Sequence, residues 1–424
     1  MQVAYLTDVE GSWNKLRTFV DLTPGVSFQT DDTGTERIIV DDGTAFVFGG
    51  DAVDRGPWSR RVLQALLDVK DRYPDRVVLL AGNRDINKLR LPRELQGAVP
   101  KKATPEIAAL AKDKKPELLR WIFANTMGAA PAFEHRRTEL RANTQPAGDD
   151  DVVRSILTDV LPPGGLHFRY LQRCQLAFRL GKTLYVHGGV AIESLGKVPG
   201  EPESDDVDGW IFSLNNFYRE QVALFGEQPI IIDAEPRWLP LILYQAPIKG
   251  LGRNPASVVY GRFGSDAWNN PRLPSRETLA WLQQRGVARV VVGHTPCGDL
   301  PAILRGGDVE IVCADNSRGR LDVGNSLLID DDRILLDART TLDDGSERRV
   351  HFALGLDEPT DIGRVTADGH LIKGFVDDDR VLLFRFDEGF VMRQPEVRRS
   401  DLGVLRPPVD DPPAPPLPAP PVSA

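Results

Sequence analysis

Gly49-Gly50-Asp51-Ala52-Val53-Asp54-Arg55-Gly56 follows the apolar run Ala45–Phe48 and precedes the stretch 57–72, where Val62, Leu63, Leu66, Leu67 and Val69 recur at helical spacing. The run reads as a buried strand, the glycines as the turn that releases it, and the following stretch as an amphipathic helix with Pro57 in its first turn. A strand ending at Asp51 and passing directly into a helix is half of a β-α-β unit. Working outward, the same pattern repeats. Val3–Thr7 is an apolar strand that ends at Asp8-Val9-Glu10-Gly11-Ser12, and Trp13, Leu16, Phe19 and Val20 mark a helix after it. Residues 26–48 read as a hairpin, with Arg37–Val40 and Ala45–Phe48 joined by Asp41-Asp42-Gly43. Downstream, Val77–Ala81 ends at Gly82-Asn83, Thr183–Val186 at His187, Arg289–Val292 at Gly293-His294, and Glu310–Cys313 near Asp315. These strands are apolar throughout rather than alternating, as expected when both faces are covered.

The repetition predicts an α/β core interrupted twice. Residues 88–180 read as a largely helical, charged insert with a break near 143–151, and residues 199–270 as a second, irregular one. After about residue 321 the texture changes to short strand-like segments between Asp/Gly turns, which predicts a small β-rich extension over 321–403. Residues 404–424 are dominated by proline and alanine, a composition expected to be extended and disordered.

The 424 residues, 41% of them hydrophobic, suffice for a large core. A net charge of -9 makes nucleic-acid duplexes and anionic membranes poor partners, because the long-range term is repulsive. Three cysteines without a C-x-x-C pair argue against a disulfide framework. The first residues lack a signal-peptide pattern, and no stretch approaches the roughly 18 apolar residues of a membrane span. The expected location is cytoplasmic.

Five apolar strands thus end in residues able to bind a metal: Asp8, Asp51, Asn83, His187 and His294. In open α/β sheets, loops leaving the carboxyl ends of strands converge on one place. A donor set of carboxylate, amide oxygen and imidazole suits borderline divalent ions, and one carboxylate can bridge two of them.

On these residues the chain resembles the calcineurin-like metallophosphoesterase superfamily, closest to the branch of serine/threonine phosphoprotein phosphatases and diadenosine-tetraphosphate hydrolases. Asp8-Val9-Glu10-Gly11 stands where that family has D-x-H-G, and Gly50–Gly56 matches G-D-x-x-D-R-G in full. Gly82-Asn83-Arg84-Asp85 stands for G-N-H-E, Val186-His187-Gly188-Gly189 for V-H-G-G, and Gly293-His294-Thr295 for the last G-H-T block. The resemblance covers about residues 1–320. It implies a four-layer β-sandwich of two mixed sheets flanked by helices. It also implies hydrolysis of phosphomonoesters or phosphoanhydrides by a hydroxide held between two divalent ions. Asp8 would hold the first ion, Asp51 would bridge, and Asn83, His187 and His294 would hold the second. Arg55 would contact the substrate phosphate and Asp54 would orient a partner behind it. The phosphorylated substrate is expected to be a phosphoprotein or a nucleotide polyphosphate.

Two departures matter. Glu10 replaces a metal-binding histidine, so it either joins Asp8 and Asp51 around the first ion, holds a bound water, or does not ligate. An all-carboxylate first site favours Mn²⁺ or Mg²⁺ over Fe²⁺ or Zn²⁺. Arg84 replaces the histidine credited with protonating the leaving group, and arginine cannot act as an acid near neutral pH. Arg84 would neutralise phosphoryl charge instead, or be held by Asp85. The departures motivate an alternative, a degenerate phosphate-binding or regulatory module of the same fold. His135 and His167 in the first insert, and Asp315 and Asn316 after the last strand, are further candidates that read equally as structural residues. The cluster Arg136, Arg137, Arg141, Lys112, Lys114 and Lys115 reads as a phosphate-attracting rim or a solvated helix face. Cys297, three residues after His294, reads as a loop cysteine.

Overall fold

In chain order the elements are β1 (Gln2–Leu6), α1 (Trp13–Leu22), β2 (Val26–Thr30), β3 (Glu36–Val40), β4 (Thr44–Phe48), α2 (Ser59–Arg72), β5 (Val77–Leu80), α3 (Asn83–Asn87), α4 (Leu91–Glu94), α5 (Pro105–Ala109), α6 (Lys115–Thr126), α7 (Ala132–Ala142), α8 (Asp149–Val160) and α9 (Leu166–Arg173). There follow β6 (Cys174–Gln175), β7 (Ala177–Leu180), β8 (Thr183–Val186), α10 (Val207–Glu227), α11 (Leu239–Tyr244), α12 (Arg276–Gln284), β9 (Arg289–Pro296), β10 (Ala302–Leu304), β11 (Glu310–Asp315), β12 (Ser326–Ile329), β13 (Arg333–Thr341), β14 (Glu347–Gly355), β15 (Leu371–Phe375), β16 (Arg380–Asp387), β17 (Val391–Arg393) and β18 (Glu396–Arg398). This computed structural model describes residues 1–32, 34–264 and 268–409. No described helix is long and apolar enough to cross a membrane.

Two mixed sheets form the centre. One runs β14-β13-β12-β1-β4-β5-β6 and the other β10-β11-β9-β8-β7. Residues one apart on a strand face opposite sides, and the packing follows that rule. Tyr5 and Val47 of the first sheet pack with Tyr185, Val291 and Val312 of the second between the sheets. The Tyr5 and Tyr185 rings lie 5.9 Å apart. Their neighbours Phe46, Leu184, Val290 and Ile311 turn outward among residues of α1, α2, α10 and α12. Helices therefore flank a mixed two-sheet core, as the resemblance implied.

Three details correct or refine the sequence reading. The hairpin in 26–48 is β2–β3, with Val26 opposite Val40, while β4 leaves it to run parallel between β1 and β5. β4 is buried along its whole length, and only a central strand covers both of its faces. The stretch 321–403 is β-rich, and its first three strands join the first of the central sheets. β12 pairs antiparallel with β1, Val3 opposite Ile329, and β13 and β14 extend the same sheet. The free edge of β1 carries unpaired amides and carbonyls that the returning chain satisfies. Buried Asp299 fastens this return, accepting from Leu321 N (3.1 Å), Thr341 N (2.9 Å) and Gln394 Nε2 (2.9 Å). Part of the stretch expected to be disordered from 404 is held in place. Val365 and Arg406 exchange backbone hydrogen bonds, and Pro408 O accepts from Leu273 N at 2.7 Å. The remainder of the tail, 410–424, lies outside the described residues.

The first insert forms a helical layer with its own apolar cluster around Leu118, Ile122, Phe133 and Val152. It docks on α2 through a buried carboxylate. α2 has no side-chain cap of its own, and Glu139 of α7 supplies one, accepting from Arg60 N (3.1 Å) and Arg61 N (3.0 Å). Glu139→Ala leaves two first-turn amides unpaired under the insert. The expected cost is about 1–3 kcal/mol, read as a lower urea midpoint. An unchanged midpoint would show that the cap contributes nothing.

Candidate metal centre

The five strand-end residues converge. Asp8, Asp51, His187 and His294 follow β1, β4 and β8 or lie within β9, at the carboxyl ends of strands that run parallel in their sheets. Carboxylate and imidazole atoms of Asp51, His187 and His294 lie within 4.8 Å of one another, and so do those of Asp8, Glu10 and Asp51. All are buried, and Asp51 belongs to both groups. Asn83, the first residue of α3, brings its Oδ1 to 3.2 Å from His187 Nε2.

The backbone is bent to achieve this. Asp8, Glu10, Asp51 and His294 have φ between 48° and 58°, the left-handed region that costs a non-glycine residue about 1–2 kcal/mol. The strain turns each side chain off its strand end into the common centre. Glycine is required beside two of them. A β-carbon at Gly82 would stand 2.1 Å from Asp51 Oδ1, and one at Gly293 would stand 2.3 Å from Asp8 Oδ2.

The atoms fit metal ions. His187 Nδ1 lies 2.8 Å from Gly49 O, so that nitrogen carries the proton and donates. Its Nε2 faces Asn83 Oδ1 at 3.2 Å and Asp51 Oδ1 at 3.4 Å. An imidazole nitrogen, an amide oxygen and a carboxylate oxygen brought this close form a donor set that suits a cation. His294 Nε2 is buried and, among the described residues, has no hydrogen-bond partner. Burial, then Arg262 and His187, hold His294 well below the usual imidazole range, which is the neutral form a metal requires. Burial and the nearby Asp315, Asp51 and Glu10 push the Asp8 carboxyl well up. Four carboxylates packed together call for positive charge.

Glu10 and Arg84, the two departures, meet. Arg84 Nε lies 2.5 Å from Glu10 Oε1, and Arg55 Nη1 lies 3.2 Å from Glu10 Oε2. Glu10 thus stands in a group able to hold an ion while facing two guanidinium groups. Arg84 also donates from Nη1 to Met127 O at 2.9 Å, which ties the insert to the centre. Asp85 does not hold Arg84, contrary to one expected pairing. As the third residue of α3, its carboxylate folds back onto the amides of Gly82, Asp51 and Ala52, each at 2.9 Å. It therefore sets the loop that carries Asp51. Burial and the Asp51 charge raise Asp85 to about 7 despite those three bonds. Asp54 pairs with Lys88 Nζ at 2.5 Å, both groups almost fully enclosed.

A cavity of about 920 Å³ opens over the centre. Asp8, Glu10, Asp51, Asn83, His294, Arg55 and Arg84 reach it, and Asp315 joins them at the end of β11. Asn316 instead holds its own turn, donating to Val323 O at 2.9 Å. His167 is neutral, lowered to about 4 by burial, and bonds Asp85 O at 2.8 Å. His135 Nδ1 stands 3.5 Å from Asp54 O. Among the described residues, His294 is the one histidine lining the cavity. Cys297 is free and buried, its Sγ donating to Cys313 O and Asp315 O at 3.1 Å. Arg136 and Arg137 pair with Asp159 and Asp149 away from the cavity, so they form no rim. Sequence reasoning did not single out Arg90, Arg93, Lys101, Lys102, Arg262 and Arg318, which do line it. Their spacing in the chain carries no signal, because the insert folds over the centre from far away.

The family described as calcineurin-like phosphoesterase matches residues 1–298. Among solved structures, the chain is similar to a cold-active protein-tyrosine phosphatase of a psychrophile, Shewanella sp. The identity is 16% over 82% of this chain and 80% of that one, with a TM-score of 0.44. It is also similar to a protein serine/threonine phosphatase from Saccharomyces cerevisiae. There the identity is 13% over 85% of this chain and 82% of that one, with a TM-score of 0.37. The family match spans every strand-end residue of the centre, and this chain belongs to the calcineurin-like phosphoesterase family, hydrolases that act on phosphoester bonds.

Proposed function

We propose that the chain hydrolyses phosphomonoesters or phosphoanhydrides at a pair of divalent ions. Asp8, Glu10 and Asp51 would hold one ion; Asp51, Asn83, His187 and His294 would hold the other. The observation that carries this reading is that both groups of buried ligand atoms share Asp51. The carboxylate-rich first group favours Mn²⁺, with Mg²⁺, Fe²⁺ and Zn²⁺ as alternatives. Bound there, such ions supply Lewis acidity toward water and phosphoryl oxygens.

The chain's own residues do the rest. Arg55 and Arg84 present guanidinium donors to the phosphoryl oxygens that gain charge, and Glu10 keeps both in place. Asp85 holds the Asp51 loop through three amides, and Lys88–Asp54 braces the turn before Arg55. Burial pulls the Arg84 guanidinium down, but Glu10 and Asp51 outweigh it, so the group stays charged and donates no proton. Among the described residues the cavity holds no histidine besides His294 to act as the acid. A phosphoprotein is therefore a harder substrate than an anhydride or an aryl phosphate, whose leaving groups depart as anions.

The test is metal content with turnover. The purified chain, stripped by chelation and reloaded with Mn²⁺, is expected to carry about two ions by mass spectrometry. It should regain hydrolysis of 4-nitrophenyl phosphate. Stoichiometric metal without turnover across phosphoesters and anhydrides would refute the proposal.

A further inference from the structure

The cavity is far larger than one phosphate group, and its charge runs against that of the chain. The whole sequence is at -9. Yet among the described residues eight arginines and lysines line this cavity against five carboxylates. Four of the five, Asp8, Glu10, Asp51 and Asp315, are gathered at the metal centre. The fifth, Glu94, lies 3.5 Å from Arg90 on the insert wall. The surplus of cations therefore falls on the segment after α3. Arg93, Lys101 and Lys102 make no salt bridge among the described residues. Arg90 is buried and donates to Thr126 Oγ1 at 2.8 Å. The Nε of Arg90 faces Glu94 Oε1, while that of Arg93 is buried without a hydrogen-bond partner among those residues. Burial lowers Lys101, and neighbouring Arg90 and Lys102 push it the same way, so these cations crowd one another. Glu94 is the one carboxylate lining the cavity beside these four cations among the described residues, so this wall carries excess positive charge toward the cavity.

We infer that Arg93, Lys101 and Lys102, with Arg90 behind them, form a second anion subsite. It would hold the non-reacting phosphates of a linear oligophosphate whose terminal phosphate lies at the metal centre. The inference rests on the proposed phosphohydrolase reading and deepens it. It also accounts for the missing acid. Water adds to the terminal phosphorus, the P–O–P bond to the next phosphate breaks, and the shortened chain leaves as an anion. A proton is released to solvent. No protein acid is needed, because the cations of the insert wall neutralise the departing phosphate.

The experiment compares the full-length chain with its Lys101→Gln/Lys102→Gln variant. Both lysines are exposed, so the fold should tolerate the change. With Mn²⁺ loaded, kcat/KM for tripolyphosphate divided by that for 4-nitrophenyl phosphate is expected to fall at least about tenfold in the variant. A ratio that does not move overturns the subsite, as does a wild-type preference for a phosphopeptide over tripolyphosphate. If neither compound is hydrolysed, the phosphohydrolase reading fails, and binding decides the subsite independently. Metal-free Asp51→Asn chain should bind tripolyphosphate at least about tenfold more tightly than orthophosphate by calorimetry, about 1.4 kcal/mol. Adding the two lysine substitutions should remove that advantage. Equal binding of the two anions overturns it.

Discussion

Asp51→Asn is expected to reduce metal-dependent hydrolysis of 4-nitrophenyl phosphate on the order of 10³-fold or more, roughly 4 kcal/mol of transition-state stabilisation. Asp51 is the residue common to both groups of candidate ligand atoms, so its charge would serve both ions of the proposed pair at once. The substitution is nearly isosteric. The retained Oδ1 can still accept from Arg84 N, which lies 2.8 Å away in the native chain. The backbone amide of residue 51 still reaches Asp85. The loss should therefore appear in activity and in bound metal, not in the fold. A further outcome separates this account from simple damage. Without metal, Asp8, Glu10, Asp51 and Asp315 repel one another, as the raised Asp8 carboxyl shows. Removing one of those charges should leave the metal-free variant melting no lower than the metal-free native chain. Turnover and metal content close to native in Asp51→Asn would sink the assignment.

The second large effect concerns stability. Lys88 and Asp54 are each about one-twentieth exposed and pair at 2.5 Å. Lys88 Nζ also donates to Arg84 O at 3.0 Å. Lys88→Met keeps the length of the side chain and strands the Asp54 carboxylate in a closed site. Breaking a buried pair from one side costs about 3–5 kcal/mol, because the remaining charge has neither water nor a partner. The pair joins the turn before Arg55 to the helix after Asn83, so activity should fall with stability. Denaturant unfolding measures the first and 4-nitrophenyl phosphate turnover the second. Adding Asp54→Asn should restore most of the stability, since no charge then remains buried alone. A single variant as stable as the native chain would mean that water already compensates Asp54.

Much of the centre is legible in the amino-acid sequence, for a physical reason. A buried strand is a run of apolar residues, and the residue that ends it is the first to face the sheet's carboxyl edge. Asp8, Asp51, Asn83, His187 and His294 each occupy that place at or near a glycine, so local spacing alone nominates them. Other features depend on partners distant in the chain. Ala45–Phe48 looks like half of a hairpin because Asp41-Asp42-Gly43 is good turn chemistry, but burial on both faces draws β4 between β1 and β5. Ser326–Gly355 reads as an extension because its segments look short, yet β12 pairs with the open edge of β1, and β13 and β14 follow it in the same sheet. Glu139 as the cap of α2, and Lys88 as the partner of Asp54, follow no local spacing and so leave no mark in the linear pattern.

The amino-acid sequence by itself thus determined the α/β pattern, the strand-end candidates and the family, since each rests on residues a few positions apart. Only the tertiary structure decided that Glu10 and Arg84 pair, that Asp85 serves the Asp51 loop, and that Arg90, Arg93, Lys101 and Lys102 face the centre. Those contacts span tens to hundreds of residues. They arise when burying apolar surface folds the insert over the sheets, and a linear pattern holds no record of which polar groups that packing brings together.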